Sequence, residues 1–144
     1  MRMFNQRPVL GWGPGTYMFN YAPYQKPWEK TIISTNAGDM GNAHSEYIGP
    51  LAESGVLGLL TVLGLFATIL YYGFKVYHQT PTGNAKELVL MAVLGLISYV
   101  THGVLNNFLD MDKASAPFWG FAAIIVAQDF FYKNHSSSQT VMHA

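Results

Sequence analysis

The sequence predicts an all-α integral membrane protein. About three transmembrane helices are preceded by an outward-facing loop with short helices. Three observations predict this. Half of the 144 residues are hydrophobic and only 11% are charged, where a soluble domain usually carries about 25%. The charges are unevenly placed, with none from Gly55 to Phe74 and none from Leu88 to Leu109. Each of these charge-free stretches is long enough to cross a bilayer.

Residues 1–54 are polar, aromatic and rich in Gly and Pro, with Trp12, Tyr17, Tyr21, Tyr24, Trp28 and Tyr47 among them. Without a long periodic run, such a stretch predicts an ordered loop with short helices. Residues 55–132 hold the spans. The first, Val56 to Tyr77, is interrupted only by Lys75 and would be roughly 33 Å long against a hydrocarbon core of ~30 Å. Tyr71, Tyr72 and Tyr77 lie at its end, where aromatic residues favour the membrane interface. His78-Gln79-Thr80-Pro81-Thr82-Gly83-Asn84 then reads as a turn. The second span, Leu88 to Leu109, stops at Asp110-Met111-Asp112-Lys113. The third, 117–132, is shorter, contains Gln128 and Asp129, and finishes on Phe130, Phe131 and Tyr132. The Ser-rich tail, 133–144, is expected to be disordered.

Lys and Arg bias sets the orientation. None lies between Thr31 and Phe74, whereas Lys75 and Lys86 flank the far end of the first span and Lys133 follows the third. The positive-inside rule therefore places the 78–87 loop and the tail in the cytoplasm. The N-terminal part and the 110–115 loop face outward, with Lys113 a minor exception. Met1 to Pro8 shows no apolar core of a signal peptide, so insertion is expected to rest on the later segments. Net charge is zero, which gives no reason to expect a nucleic-acid partner. The absence of cysteine excludes disulfides and thiolate metal sites. His78, His135 and His143 lack metal-ligand spacing, and no metal or cofactor is predicted.

Two motifs in the loop carry chemistry. The first is Arg7-Pro8-Val9-Leu10-Gly11-Trp12-Gly13-Pro14-Gly15-Thr16-Tyr17. Its alternate glycines, Gly11, Gly13 and Gly15, permit φ > 0 and close approach of the backbone to another group. A dinucleotide fingerprint from Gly11 would need glycine at position 16, which is Thr, and no Gly-Lys-Ser/Thr of a phosphate-cradling loop is present. The pattern fits a tight turn at the membrane surface. Composition alone favours that turn; the alternative is a substrate contact in which the Arg7 guanidinium meets a pyrophosphate oxygen. The second motif is Asn42-Ala43-His44-Ser45-Glu46-Tyr47, followed by Glu53-Ser54-Gly55-Val56-Leu57-Gly58. Asn42 reads as an N-cap, with His44 in the first turn of a helix that Pro50 shortens or kinks. The positive end of that helix favours a nearby anion and a neutral imidazole able to accept a proton. A surface histidine on a capped interfacial helix is the plainer alternative.

A third constellation lies in the second span, where Gly95, Ser98, Tyr99, His102 and Asn106 recur at three- and four-residue spacing and share a helical face. Thr61, Gly64 and Thr68 make a similar face in the first span. Such stripes suit hydrogen bonding between helices, or the wall of a polar cavity.

At its loop motifs the chain resembles the O-antigen ligase family, the C-terminal domain shared by bacterial ligases and polymerases of lipid-linked glycans. The family signature is His, then Asn, Ser or Gln, nine residues, Gly, two free positions, and Gly, Thr or Tyr. His44-Ser45, the stretch Glu46 to Ser54, and Gly55-Val56-Leu57-Gly58 match that spacing. The Arg7 to Tyr17 stretch is similar to the opening of the family's large periplasmic loop. The likeness covers about the first two thirds of the chain. It implies a multi-pass protein of the bacterial inner membrane with a periplasmic N-terminal loop, acting in cell-surface polysaccharide biosynthesis. The implied reaction moves a glycan from an undecaprenyl-pyrophosphate carrier to a hydroxyl on a lipid-linked acceptor, without a nucleotide sugar. In that reaction His44 would take the proton of the attacking hydroxyl. Arg7 would stabilise the leaving pyrophosphate beside Gly11, Gly13 and Gly15, with Arg2, Lys26 and Lys30 as further cations. Tyr and Trp rings would offer stacking faces to sugars. Family members place many transmembrane helices before this region, so such helices are expected partners. The rival reading is a non-catalytic membrane fragment or subunit that assembles with other transmembrane helices.

Overall fold

A computed structural model describes residues 2–26, 28, 43–110 and 112–142. The chain is all-helical, with three long apolar helices preceded by short ones. The order is α1 (Arg2–Gln6), α2 (Tyr17–Asn20), a 3-10 turn (Ala22–Tyr24), α3 (Ile48–Gln79), α4 (Asn84–His102), a second 3-10 turn (Phe108–Asp110) and α5 (Asp112–Met142). Ile48–Gln79, Asn84–His102 and Lys113–Lys133 are each long and apolar enough to cross a membrane, which makes this a multi-pass membrane protein.

The start of α3 is fixed by Ser45. Its Oγ accepts the backbone N–H groups of Tyr47 and Ile48, both at 3.3 Å, so a hydroxyl satisfies donors that the helix itself cannot. Asn42, the expected cap, lies outside the described residues. His44 therefore precedes the helix rather than sitting in its first turn. The break in α3 is at Gly55 (φ 66°, ψ −157°) and not at Pro50. Proline in the first helical turn forfeits no bond, because its N–H would have had no partner there. Beyond the break, Val56 to Gln79 runs unbroken for roughly 36 Å.

Two helix ends differ from the sequence expectation. α4 stops at His102 although the apolar composition continues to Leu109. Gly103, Asn106 and Asn107 are poor helix formers. The carbonyls of Gly103 and Asn106 instead accept the Glu46 N–H at 2.9 and 3.2 Å. Asn106 thereby leaves the face that Gly95, Ser98, Tyr99 and His102 share. α5 begins at Asp112 and continues past Lys133 to Met142, where a disordered tail was expected. From Phe121 to Met142 there is no Gly or Pro to stop it.

The chain forms two compact units. One comprises residues 1–65 and 103–108 and holds both loop motifs. The other comprises 66–102 and 109–144. In the second unit Val76, Val89, Val93, Leu96, Phe118 and Ile125 are fully buried. Lipid tails are as apolar as these side chains, so close fit rather than escape from water must hold the helices together. The fit is made at glycines. A Cβ on Gly95 would lie 2.5 Å from the Phe121 ring, and one on Gly73 would lie 2.8 Å from a Val93 methyl. Rings fill the remaining space, with Phe118 centred 5.9 Å from Phe66 and 4.9 Å from Tyr99. The buried carboxylate Asp129 accepts the Tyr72 hydroxyl and pairs with Lys133 at 2.6 Å, so a costly charge in the span is compensated. A Cβ on Gly64 would meet nothing within 4 Å, so the close approach at Gly73 and Gly95 has no counterpart there.

Candidate functional site

The two loop motifs fold against each other. Gly11, Gly13 and Gly15 all have positive φ (66°, 117° and 73°), the conformation their alternation predicts. The turn they form lies on the break in α3. Gly13 N–H donates to the Glu53 carbonyl at 2.7 Å, and Val56 N–H donates to the Pro8 carbonyl at 2.8 Å. The backbones nearly touch, since a Cβ on Gly11 would lie 2.3 Å from Glu53 carbonyl atoms and one on Gly55 would lie 2.3 Å from the Val9 oxygen. Gly58 is equally confined, because a Cβ there would lie 2.4 Å from that of Ser54 and 2.7 Å from the Pro50 oxygen. Both glycines of the His44-to-Gly58 spacing thus have steric reasons to be glycine.

Glu53 completes the clamp and was not singled out from sequence. One carboxylate oxygen accepts Gly15 N–H at 2.9 Å and the other accepts Tyr17 N–H, the first of α2, at 2.9 Å. An internal anion therefore takes the donors that a glycine turn would offer to a phosphate, and Gly11 N–H is likewise satisfied by the Arg7 carbonyl at 3.0 Å. The signal was present, since Glu53 is the last charge before the uncharged run from Gly55, where an isolated carboxylate calls for a partner.

Beside the clamp, in the same unit, is a cavity of about 250 Å³. Arg2, Lys26, Tyr17, Tyr21 and Tyr24 form its polar wall, and Met3, Phe4, Ile48, Leu51 and Ala52 its apolar one. Tyr17 and Tyr21 are stacked, with centroids 4.7 Å apart and planes 19° from parallel. The Tyr17 phenol is pushed well above its ordinary range, first by burial and then by Tyr21, so it stays a protonated donor. Tyr24 is held on two sides. Its hydroxyl donates to Gln6 Oε1 at 2.6 Å, and its ring meets Trp12 edge-on at 5.8 Å. Trp12 in turn donates its indole N–H to the Met3 carbonyl at 3.1 Å, tying α1 to the glycine turn.

The expected site residues fall in three places. Arg2 and Lys26 line the cavity. Arg7 is exposed, with its guanidinium carbon 4.4 Å from the Trp12 ring centre. His44 is exposed at a bend and, glycines aside, is the one described residue with positive φ (43°). His44 and Arg7 do not line the cavity. The segment after His44 is anchored by Ser45 Oγ donating to the Gly103 carbonyl at 3.4 Å, and the Tyr47 phenol is pushed upward by burial and by Glu46. Lys30 lies outside the described residues. Among the described residues no three His, Asp or Glu converge as a metal site would require.

Fold and site together define a multi-pass helical membrane protein whose aromatic-rich N-terminal loop is folded on the Glu53–Val56 stretch of α3. In comparisons with protein-family models, curated proteins and solved structures, nothing matches the chain.

Proposed function

We propose that the chain is the C-terminal part of a membrane glycosyltransferase of the O-antigen ligase type. It would transfer a glycan from undecaprenyl pyrophosphate to a lipid-linked acceptor at the periplasmic face of a bacterial inner membrane. One observation carries the reading. The two stretches similar to the family's motifs, separated by the 26 residues 18–43, form a single clamp at Gly11, Glu53 and Gly55. That clamp ties the glycine turn to the Glu53–Val56 stretch of α3, with Arg7 and His44 both exposed.

In the reaction, the acceptor hydroxyl oxygen forms a bond to the anomeric carbon as the bond from that carbon to the pyrophosphate oxygen breaks. The electron pair leaves with the lipid pyrophosphate, whose charge Arg7, Arg2 and Lys26 are the local cations to offset. The hydroxyl proton passes to the His44 imidazole. The positive φ at His44 supports this role, since non-glycine residues in sparsely populated backbone regions cluster at functional sites.

The test joins this chain to the upstream helices of an O-antigen ligase and measures transfer per unit of membrane-inserted protein. His44→Ala should lower transfer by roughly 10²–10⁴-fold and leave carrier affinity nearly unchanged. His102→Ala should lower abundance more than specific activity. Near-normal turnover of His44→Ala at normal abundance would sink the catalytic role and leave the rival, a non-catalytic membrane subunit. Orientation is tested in intact cells with a membrane-impermeant maleimide. Ser34→Cys should react and Thr82→Cys should not, and the opposite pattern overturns the periplasmic placement.

A further inference from the structure

We propose that the glycine turn is a membrane anchor, with Val9 and Leu10 inserted into the apolar edge of the bilayer at the N-terminal end of α3. The inference needs the membrane span alone and stands whether or not the chain transfers a glycan. It starts from where the hydrocarbon ends. Glu53 and Lys75 are the charges that bracket the apolar run of α3. Between them, Val56 to Phe74 is unbroken helix, roughly 28 Å long against a hydrocarbon core of ~30 Å. The edge of the core therefore lies near Val56. There the surface of α3 is open to lipid, with Leu57 and Leu60 more than half exposed.

The turn is tied to that level through its backbone. Val56 N–H donates to the Pro8 carbonyl at 2.8 Å, and Gly13 N–H donates to the Glu53 carbonyl at 2.7 Å. The stretch 8–13 thus runs antiparallel to 53–56. Pro8 is level with the start of the apolar helix, and Gly13 is level with the last charge before it. Val9 and Leu10 directly follow Pro8 and are 61% and 73% exposed. Large apolar side chains fixed beside the hydrocarbon edge continue the lipid-facing surface of the span, and the bilayer is the partner that surface already has. Arg7 and Trp12 flank the pair, with the guanidinium carbon 4.4 Å from the ring centre. An arginine keeps its stem on apolar surface and its charge in the headgroup layer, where tryptophan also collects.

The experiment uses the full chain in phosphatidylcholine nanodiscs. The sequence has no cysteine, so a nitroxide can be placed at one site at a time through Val9→Cys, Leu10→Cys, Pro14→Cys and Leu60→Cys. Power saturation of the spin signal compares collisions with oxygen, which concentrates in hydrocarbon, and with a water-soluble nickel chelate. Labels at residues 9 and 10 are expected to favour oxygen, as the lipid-facing reference at residue 60 does. The label at residue 14, on the Glu53 side of the turn, is expected to favour the chelate. Preference for the chelate at residues 9 and 10, matching residue 14, overturns the anchor and leaves the turn in water. Low access to both reagents means that protein covers the tip, either another segment or a second copy, and overturns it as well. The two tip sites replace different side chains, so one decides if the other undocks the turn. Adding Gly55→Ala to Leu10→Cys should release the turn and shift the label toward the chelate. An unchanged oxygen preference there would show that the label seeks the bilayer by itself, which also overturns the proposal. The His44 measurement reads transfer and is untouched by any of these outcomes.

Discussion

Glycine does opposite work in the two units. In the loop unit, Gly11 and Gly55 have positive φ and face carbonyl atoms of another backbone segment at 2.3 Å from where a Cβ would stand. In the helical unit, Gly73 and Gly95 face side chains, a Val93 methyl and the Phe121 ring. Backbone held by hydrogen bonds at both ends cannot step aside, whereas a side chain can rotate. The loop unit should therefore be intolerant of any added carbon, and the helical unit should grade its response by the stiffness of what it meets.

The largest effect is expected for Gly55→Ala. A side chain at φ 66°, ψ −157°, a region open essentially to glycine alone, costs about 1–3 kcal/mol, and overpacking against fixed atoms costs about 1–3 kcal/mol more. The turn should undock, and limited proteolysis should cut between residues 8 and 16 much faster than in the parent. Gly15→Ala is the control. Its φ is +73° but nothing lies within 4 Å, so only the conformational cost should remain. If the two variants are equally protected, close backbone approach is not what holds the turn.

Glu53→Gln should come next. An amide offers one acceptor oxygen where the carboxylate offers two, so either Gly15 N–H or Tyr17 N–H is left facing an NH2 group. Both bonds are partly solvated, which puts the expected loss near the lower end of the range for an unmade bond, about 1 kcal/mol. Protease protection of the turn should fall modestly, while thermal unfolding of the helical unit should not change. A parallel fall in both would show that Glu53 acts beyond its own unit.

Alkaline titration sharpens the same contrast. The folded-state pKa of Tyr17 lies above its ordinary value of about 10, chiefly through burial. The folded state thus holds this proton more tightly than the unfolded state. The associated stability is complete below pH ~10 and is lost as pH rises toward the folded value. Phenolate absorbance should show Tyr17 titrating late, and protection of the turn should fail in that alkaline window. Tyr17→Phe should shrink the late phase without abolishing it, because the Tyr47 phenol is raised as well. Titration of every tyrosine near pH 10 in folded protein would mean that the stacked pair is open to water.

Much of this is legible in the sequence because its physical cause is local. Missing charge marks the spans, and the alternation of Gly11, Gly13 and Gly15 predicts their positive φ. What escapes is tertiary. No local pattern says that the glycine turn docks on Gly55, and Glu53 passes for one of nine interchangeable positions until its two oxygens are seen on Gly15 and Tyr17. The end of α4 escapes for the same reason, since hydropathy continues past Gly103 while the carbonyls there turn to Glu46. In the site, Arg7 stands out because it adjoins the glycines, yet the cavity forms around Arg2 and Lys26. Their proximity depends on α1 being tied to the turn through Trp12.

The smallest effect is expected at Gly73, and it bears most directly on the distinction between backbone and side-chain neighbours. Gly95→Ala should be intermediate, because three Phe121 ring atoms lie within 2.8 Å of the new carbon and a flat ring must move as one body. At Gly73 the new carbon meets a Val93 methyl at 2.8 Å and an Ile125 terminal methyl at 3.2 Å. The Ile125 methyl is the end of a side chain with two rotatable bonds and can turn away, whereas the Val93 methyl sits on a χ1 that is stiff in a helix and must yield by a small shift of the helix that carries it. Against the remaining contact cost stands the helix preference for alanine over glycine, about 0.8–1.0 kcal/mol. The two nearly cancel, so Gly73→Ala should change stability by less than about 1 kcal/mol in either direction, read as thermal unfolding by circular dichroism in detergent. A loss as large as that of Gly55→Ala would mean that the helices cannot yield even at side-chain ends. The loop unit's intolerance would then reflect general tight packing and not the fixed carbonyls of Pro8, Val9 and Glu53.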